Sequence, residues 1–305
     1  MHSLPTGVEF FQRGWLSSNN VLLHDSDSAI LVDTGYWTHA EQTHALVKSV
    51  IDARPLTALW NTHLHSDHCG GNAYLQSCYP DLTTLIPPGH ATCVDRWDAV
   101  ALTYTPTGQH CPRFVRTGLI NDKDTFVIAN SVWQVHAAPG HDPHSVVLFN
   151  AEHGILISAD ALWENGFGVV FPEIEGTSAF DEVEATIQVI ENLAPRIVLP
   201  GHGSPFTDVS DAIERAKSRL RQFRNSPDTH ANYAAKVLLK FKLLELQKYK
   251  LSEFISWAQG AHYLTILHQT YAKTHSFASW MEKLCKSLEK SGACMMDDGY
   301  IININ

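Results

Sequence analysis

Short apolar runs separated by turn residues dominate the first three-quarters of the 305-residue chain. Runs of this kind, many of them rich in Val, Ile and Leu, predict β-strands. The strands are predicted at residues 8–12, 20–24, 29–32, 56–60, 83–86, 125–128, 132–137, 145–149, 154–158 and 196–199.

Helices are predicted between some of these strands, where apolar residues recur at helical spacing. They cover residues 38–53, about 72–79, 179–193 and 209–223. Ser178, with Asp181 three residues later, is typical of a capping box at the start of the third helix. Because several strands precede the helical segments and this order occurs twice, we predict an α/β (α+β) fold with two packed sheets and helices on their outer faces.

The end of the chain has a different, mostly helical pattern. An amphipathic helix is predicted at residues 232–249, and shorter helices at 251–258, 261–272 and 276–290. Asp298-Gly299 lies between two short runs and predicts the turn of a final hairpin. Helices followed by a hairpin resemble a winged helix.

The charge distribution changes near the same place. Residues 230–305 contain nine Lys, no Arg and six Asp or Glu, a balance of +3, which leaves −13 for the remainder of a chain with a net charge of −10. Turn-forming residues at 225–229 are typical of a linker. We therefore predict a large domain at residues 1–226 and a small, mostly helical domain at 227–305.

Composition narrows the class of protein. The chain is 44% apolar and 18% charged, as in globular proteins, and has no apolar window long enough for a membrane span. The N-terminus lacks the pattern of a signal peptide, and the six cysteines form no CxxC pair, so we expect reduced thiols and a cytoplasmic location. The negative net charge argues against nucleic acid or anionic membranes as general partners.

A cluster of ionisable residues follows the strand predicted at 56–60. His63 and His65 are two positions apart on an extended segment, so they point the same way and can converge on one ion. Asp67 and His68 are adjacent, so the chain must turn for both to face a second point close by. Imidazole and carboxylate without thiolate suit Zn²⁺, with Fe and Mn as alternatives.

Three further candidate ligands follow apolar runs elsewhere in the chain. His141 ends the sequence Ala-Pro-Gly-His, Asp160 follows the run at 154–158, and His202 lies in Pro-Gly-His-Gly. Because each follows a predicted strand, each can lie at the same rim of the two sheets. The cluster and these three residues together, in this order, predict a metal centre.

These motifs, together with Asp33-Thr34-Gly35, resemble the motif set of the metallo-β-lactamase superfamily over about residues 5–225. The resemblance implies a four-layer αββα sandwich with a dinuclear metal site at one edge. Matched by motif, the first metal would be held by His63, His65 and His141. The second would be held by Asp67, His68 and His202. Asp160 would bridge both ions, and Asp33 would orient a ligand or the loop.

The same resemblance implies hydrolysis by a hydroxide bound to two zinc ions, with Asp67 and Asp160 in catalytic positions. We expect a small ester, thioester or lactone as the substrate. A phosphodiesterase or ribonuclease with the same metals is an alternative, and a mononuclear iron oxygenase is another. Nucleic acid is not favoured, because the C-terminal part lacks arginine and its positive charge is slight. A homodimer remains open, and for the C-terminal part a role in dimerisation or in closing the pocket is as open as contact with nucleic acid.

Departures from known branches of the superfamily restrict the substrate further. Asp160 stands where some β-lactamases of this superfamily have cysteine, which argues against β-lactam hydrolysis as the main task. His65 stands where the diiron flavoproteins have glutamate, which favours a hydrolase. The segment 161–171 lacks the Gly-Cys-Gly-Arg-like stretch of glyoxalase II-type enzymes and persulfide dioxygenases, which argues against a glutathione conjugate.

Two loops, at residues 94–116 and 163–176, are predicted to shape a substrate pocket because they combine aromatic residues with glycine or proline. Aromatic walls with one or two arginines suit a moderately apolar substrate that carries a carboxylate or phosphate. The residues predicted to line this pocket are His110, Arg113, His144, Trp163 and Phe167.

Overall fold

The computed structural model describes residues 4–128 and 130–304. Its first sheet has six strands. In spatial order these are β1 (Val8–Phe11), β2 (Asn20–His24), β3 (Ala29–Val32), β4 (Ala58–Trp60), β5 (Thr83–Ile86) and β6 (Gly118–Leu119). The first three strands pair antiparallel, and β3 to β6 pair parallel.

The second sheet has five strands and is mostly antiparallel. In spatial order these are β11 (Ile197–Pro200), β10 (Ile155–Ala159), β9 (Val146–Asn150), β8 (Ser131–Ala137) and β7 (Thr125–Ile128). Only the pair formed by β10 and β11 is parallel. Because those two strands run the same way, the residues that follow them, Asp160 and His202 among them, emerge at one edge of the sheet.

Side chains from both sheets meet in a shared core, which includes Val32 and Trp60 from the first sheet and Trp133 and Leu148 from the second. Alternate residues of β9 point the other way, so its Phe149 packs in a separate cluster with helices. Strands β3, β9 and β10 are therefore buried on both faces, which explains their continuous apolar sequences, whereas β7 and β8 alternate buried and exposed residues.

Helices cover the outer faces of both sheets. Helices α1 (Ala40–Ile51) and α3 (Asn72–Cys78) pack on the first sheet, and α2 (Ser66–Cys69) precedes α3 directly. Short helices α4 (Ala91–Arg96) and α5 (Tyr104–Thr107) follow β5. The second sheet is covered by α7 (Phe180–Leu193) and α8 (Val209–Asn225), with α6 (Phe171–Ile174) before them. The four layers confirm the predicted αββα sandwich.

The start of α7 differs from its prediction. Ser178 makes no capping bond; instead Oε1 of Glu173 accepts hydrogen bonds from the backbone N–H groups of Ala179 (2.6 Å) and Phe180 (3.0 Å). The predicted capping box is therefore wrong, because a carboxylate from the preceding short helix already satisfies these donors. The two-residue strand β6 was not predicted either, since so short a segment carries no periodicity.

The C-terminal region contains four helices and a small sheet. The helices are α9 (Pro227–Leu246), α10 (Leu251–Gly260), α11 (His262–Tyr271) and α12 (Phe277–Lys290). Strand β12 (Lys248–Lys250) pairs with β14 (Tyr300–Asn303), which also pairs with β13 (Cys294–Asp297) to form the predicted hairpin. Residues 248–250 are thus a strand, not the end of a helix. The likeness to a winged helix stays a prediction.

Helix α9 ties this region to the sandwich. Only Ser226 separates α8 from α9, so residues 225–229 form no extended linker. Phe241 of α9 packs against Leu16 and Tyr36 of the sandwich. The division into domains at residues 226 and 227 remains a prediction. Among the described residues, no helix is long and apolar enough to cross a membrane.

Candidate metal centre

The ionisable cluster begins where β4 ends. His65 is extended (φ −66°, ψ 150°) and is followed at once by the short helix α2. Asp67 and His68 lie in the turn of that helix, which provides the change of direction that the sequence requires. Gly70 and Gly71 follow where backbone and side chains of residues 34–37 approach too closely for a Cβ atom.

The first ligand group consists of three buried imidazoles. Nδ1 of His65 lies 3.0 Å from Nε2 of His63 and 2.8 Å from Nε2 of His141. The ligand atoms of the three side chains all lie within 4.8 Å of one another. His65 thus presents its Nδ1, whereas the other two present Nε2.

Hydrogen bonds at the outer nitrogens fix the tautomers of this group. Nδ1 of His141 donates to the carbonyl of Val169 at 2.6 Å. The Thr62 hydroxyl donates to Oδ2 of Asp33 at 2.7 Å, so at 3.1 Å it accepts from Nδ1 of His63. Both inner Nε2 atoms therefore present lone pairs. Lone pairs of neutral imidazoles that converge in a buried site fit a metal cation.

The second ligand group is formed by Asp67, His68 and His202. Nε2 of His202 lies 3.1 Å from Oδ2 of Asp67. Nδ1 of His68 is 2.7 Å from Oδ2 of Asp33, and its buried Nε2 lies near Asp160 (3.3 Å) and Asp67 (3.9 Å) without the alignment of a hydrogen bond to any described residue. A buried imidazole nitrogen that faces two carboxylates without an aligned hydrogen bond fits a cation held between them.

Asp160 lies between the two groups. Its Oδ2 is 3.3 Å from Nε2 of His141, and its Oδ1 is 3.3 Å from Nε2 of His68 and 3.8 Å from Nε2 of His202. The indole N–H of Trp163 donates to Oδ1 at 3.2 Å. His63 and His68 also form a close set with Asp160, so the two groups are contiguous and not separate sites.

Backbone geometry brings these carboxylates into place. Asp33 and Ala159, the residue before Asp160, both have positive φ, at 57° and 46°. Such values are strained for residues other than glycine and are concentrated at functional sites. Gly201 approaches Asp160 so closely that a Cβ atom there would lie 2.3 Å from Oδ1.

The electrostatics of the first group favour neutral imidazoles. Burial, followed by the neighbouring imidazoles, lowers the pKa of His63 well below its ordinary value. The same causes, with His141 the main neighbour, lower the pKa of His65 to about 3. Burial also lowers the pKa of His141. All three are therefore unprotonated at neutral pH, as metal ligation requires.

The second group is dominated by carboxylates. Burial opposes a charged His68, but Asp160, Asp33 and Asp67 outweigh it and raise the pKa of His68 well above the ordinary value. Burial likewise opposes ionisation of Asp160, yet His68 and His202 hold its pKa well below the usual range. The pKa of Asp67 is also lowered, since His68 and His202 outweigh its burial. A cation here would compete with a proton for the same imidazole nitrogen.

A cavity of about 400 Å³ opens over the ligand cluster. Its lining is predominantly apolar and comes from the sandwich, from α9 and, through Leu288 and Ser291, from the end of α12. Of the five residues predicted to line a pocket, Trp163 does so. In the described part of the chain, His110, Arg113, His144 and Phe167 lie outside this lining.

The positions of those four residues explain the difference. Phe167 is buried in the core beneath the second sheet, and the ring of His144 packs beside His90. His110 packs against Trp37, and Arg113 is exposed and lies near the backbone of Asp95. The loop at 94–116 contributes Thr107 and Gln109 instead.

Two residues of the site, Trp15 and Asp142, were missed in the sequence, and the part that α9 plays was one of several open alternatives. Trp15 stacks on the ring of His202 with ring centres 5.2 Å apart. Buried Asp142 places Oδ2 3.9 Å from Nε2 of His65, and its position next to His141 was the available signal. Helix α9 supplies one whole wall of the cavity, which agrees with the pocket-closing role left open for the C-terminal part. The side chains that form this wall could not be named from the sequence.

Fold and site together define a sandwich protein with a cluster of histidine and aspartate ligands at the edge of its sheets. The model of the metallo-beta-lactamase superfamily matches residues 13–202, more than half of the chain. The chain belongs to this superfamily. The match confirms the superfamily that the sequence motifs indicated.

Curated relatives are similar at a lower level. A probable metallo-hydrolase of Bacillus subtilis is 26% identical over 152 residues, 47% of this chain and 46% of that protein. A hydroxyacylglutathione hydrolase of Crocosphaera subtropica is 28% identical over 268 residues, 81% of this chain and 88% of that protein. The chain spans about half the length of two of these relatives, 46% of the Bacillus subtilis protein and 57% of a hydroxyacylglutathione hydrolase of Edwardsiella ictaluri.

Solved structures show the same fold. A metallo-beta-lactamase family protein from Thermus thermophilus matches with a TM-score of 0.58 and 17% identity, over 99% of this chain and 100% of that chain. The BLEG-1 B3 metallo-beta-lactamase matches with a TM-score of 0.54 and 20% identity, over 68% of this chain and 96% of that chain. The first match therefore extends through the C-terminal helices, whereas the second leaves about a third of the chain unmatched.

Proposed function

We propose that this chain is a hydrolase that holds two metal ions, zinc foremost with iron or manganese as alternatives, and cleaves an ester, thioester or lactone of a small, largely apolar substrate. The observation that carries the proposal is the position of Asp160 in the cavity wall. Its two carboxylate oxygens lie 3.3 Å from imidazole nitrogens of different ligand groups, Nε2 of His141 and Nε2 of His68. A carboxylate in this position can be shared by two ions.

The donor set suits this role. His63, His65 and His141 would hold the first ion. Asp67, His68 and His202 would hold the second, and Asp160 would contact both. When bound, the ions would acidify a water molecule to a pKa of about 7 and polarise the bond to be cleaved.

The chain's own carboxylates would prepare the reaction. Asp67 and Asp160 border the cavity, and their lowered pKa values keep them ionised at neutral pH. We assign both as catalytic residues, with Asp67 orienting the attacking water and accepting a hydrogen bond from it. Asp33 holds His68, and the N–H of Trp163 holds Asp160, so neither group needs to reorganise during the reaction.

The cavity supports a small apolar acyl substrate. Trp163, Phe171, Val237 and Phe241 lie in its walls. Similarity to hydroxyacylglutathione hydrolases supports cleavage of a thioester, while the sequence at 161–171 argues for an acyl group other than a glutathione conjugate. A polynucleotide would need several cationic or stacking side chains along a groove, and the described residues contribute two lysines, Lys236 and Lys240, to this lining.

Metal content and a substrate panel test the proposal. Protein purified without added metal should contain close to two zinc ions per chain by mass spectrometry of the metals. It should hydrolyse aryl esters, acyl thioesters or lactones faster than bis(4-nitrophenyl) phosphate or single-stranded RNA. One iron per chain with oxygen consumption would support the oxygenase instead, and preference for the phosphodiesters would support the nuclease.

Asp160→Asn is the decisive variant, because it keeps the shape of the side chain and removes its charge. We expect less than one metal per chain at equal free metal, and kcat/KM should fall by about 100-fold or more. Asp81→Asn, an exposed position, is the matched control and should change neither. Intact metal content and turnover in the Asp160 variant would overturn the proposal.

A further inference from the structure

One face of helix α9 forms a long wall of the cavity. The residues on this face recur at intervals of three and four, and they are Tyr233, Lys236, Val237, Lys240, Phe241 and Leu244. At about 1.5 Å per residue the face extends along ~16 Å of the helix axis. A substrate held at the ligand cluster can therefore have a sizeable segment alongside α9.

The two lysines on this face are in different situations. Nζ of Lys240 donates to the carbonyls of Ala293 (2.7 Å) and Ile304 (2.8 Å) and to Oδ1 of Asn303 (2.5 Å). An ammonium group has three donors, so Lys240 is fully used in holding the end of the chain. Burial also lowers its pKa.

Lys236, one turn earlier, is partly buried in the lining and has no hydrogen bond or ion pair with any residue in 4–128 or 130–304. The two carboxylates in the lining, Asp67 and Asp160, belong to the ligand cluster. Lys236 is thus the one uncommitted charge in this described lining. A cation held beside apolar walls favours an anionic partner, because the surrounding protein supplies none.

We propose that Lys236 binds an acidic group of the substrate and makes the chain specific for amphiphilic acyl compounds, with an apolar segment along α9 and a carboxylate or phosphate distant from the bond that is cleaved. This inference rests on the proposed hydrolase function and adds the substrate class to it. It places the binding site for the acidic group on α9, whereas the sequence had indicated Arg113 of the loop at 94–116. The apolar segment packs against Val237, Phe241 and Leu244, which follow Lys236 on the same face.

Two esters of equal length test the proposal. The mono-4-nitrophenyl ester of octanedioic acid carries a terminal carboxylate, and 4-nitrophenyl octanoate does not. The wild type should show a lower KM for the anionic ester. Lys236→Met should reduce kcat/KM for the anionic ester by about 10- to 100-fold, mainly through KM, the loss expected for one charge-assisted hydrogen bond. The neutral ester should change less than about twofold.

Two further variants make the outcome specific. Lys236→Arg should retain most of the preference for the anionic ester, because it keeps the charge. Lys242→Gln removes a charge from the same helix at a residue that pairs with Glu245 outside the lining, and should leave the preference intact. Equal losses of Lys236→Met on both esters, or no loss on either, would overturn the proposal.

Binding separates this inference from the proposed hydrolysis. Quenching of the cavity tryptophans reports the affinities of octanedioate and octanoate for the metal-loaded protein. If no ester is hydrolysed but octanedioate binds at least 10-fold tighter than octanoate, and Lys236→Met abolishes the difference, the anion site stands and the hydrolase proposal fails. If both esters are hydrolysed without any effect of Lys236, the hydrolase stands and the anion site fails.

Discussion

Oδ2 of Asp33 lies 2.7 Å from Nδ1 of His68, so the first motif of the chain holds a ligand that lies 35 residues further on. The same carboxylate accepts hydrogen bonds from the hydroxyl and backbone N–H of Thr62 at 2.7 and 2.9 Å. It thereby connects His68 of the second ligand group with His63 of the first, whose Nδ1 donates to the Thr62 hydroxyl.

We expect Asp33→Asn to weaken the second metal more than the first. The amide cannot accept from both His68 and Thr62 as the carboxylate does, and loss of such an outer partner typically costs 10- to 100-fold in metal affinity. Asparagine tolerates the positive φ of this position, so the fold should persist. Titration with a competing chelator should show one site weakened by this factor and the other by less than threefold.

Asp52→Asn is the matched control, because Asp52 also has a positive φ (53°) but is exposed at the end of α1. It should leave both metal affinities unchanged. Equal weakening of both sites by Asp33→Asn would show that Asp33 supports the whole loop and not His68 in particular.

Gly201 offers a steric test of the Asp160 position. A Cβ atom on Gly201 would lie 2.3 Å from Oδ1 of Asp160 and 3.0 Å from Cε1 of His68. Gly201→Ala should therefore displace Asp160 and reduce kcat/KM by at least 10-fold, because small displacements of a positioned group are costly. Far-UV circular dichroism should remain that of the wild type.

Gly14→Ala adds the same methyl group where nothing lies within 4 Å, and it should leave turnover unchanged. If the Gly201→Ala variant turned over substrate at the wild-type rate with full metal content, the Asp160 side chain would not need the space that Gly201 leaves for it.

Much of the fold and of the candidate site could be predicted from the sequence, because both depend on local patterns. Apolar runs located ten of the eleven sandwich strands, and the sandwich places the residues that follow β4, β10 and β11 along one edge. The spacing of His63 and His65 carried geometric information by itself, since alternate residues of an extended segment share a face.

The remaining features depend on tertiary contacts that no local pattern encodes. Glu173 caps α7 from a separate short helix, and Asp142 reaches His65 across the site. The substrate cavity was the least predictable part. Aromatic and charged residues in the loops, such as Phe167 and Arg113, indicated a partly apolar cavity but not which side chains line it. The wall formed by α9 comes from a region more than 160 residues after His65.

The cap at α7 predicts a modest loss of stability. Glu173→Ala leaves the N–H groups of Ala179 and Phe180 without their acceptor, so the free energy of unfolding should fall by about 1 kcal/mol, as for other lost caps. Urea denaturation measures it. Glu175→Ala, two positions later, is a poor control because Glu175 accepts from Tyr263. Glu182 is exposed within α7, so Glu182→Ala is the better control. It should change the free energy of unfolding by less than about 0.5 kcal/mol, as substitutions at other surface sites do.

His230 predicts a specific pH dependence of stability. Its Nε2 accepts a hydrogen bond from the N–H of Val170 at 3.1 Å, and burial lowers its pKa to about 4. In the unfolded chain the pKa is about 6.5, so between pH 6.5 and 4 the unfolded state binds a proton that the folded state does not. The contribution of His230 is therefore fully present above pH 6.5 and is lost as the pH falls towards 4, by roughly 3 kcal/mol at most.

Urea unfolding of metal-free protein at pH 4.5, 5.5, 6.5 and 7.5 (about the range between the two pKa values) measures how the free energy of unfolding changes with pH. Other histidines also titrate in this range, so the difference between wild type and His230→Gln isolates the buried ring. Glutamine can still accept from Val170 but takes up no proton, and its stability should fall less steeply with decreasing pH. Exposed His262→Gln should follow the wild-type curve. Parallel curves for wild type and His230→Gln would mean that the ring is protonated equally in the folded and unfolded chain.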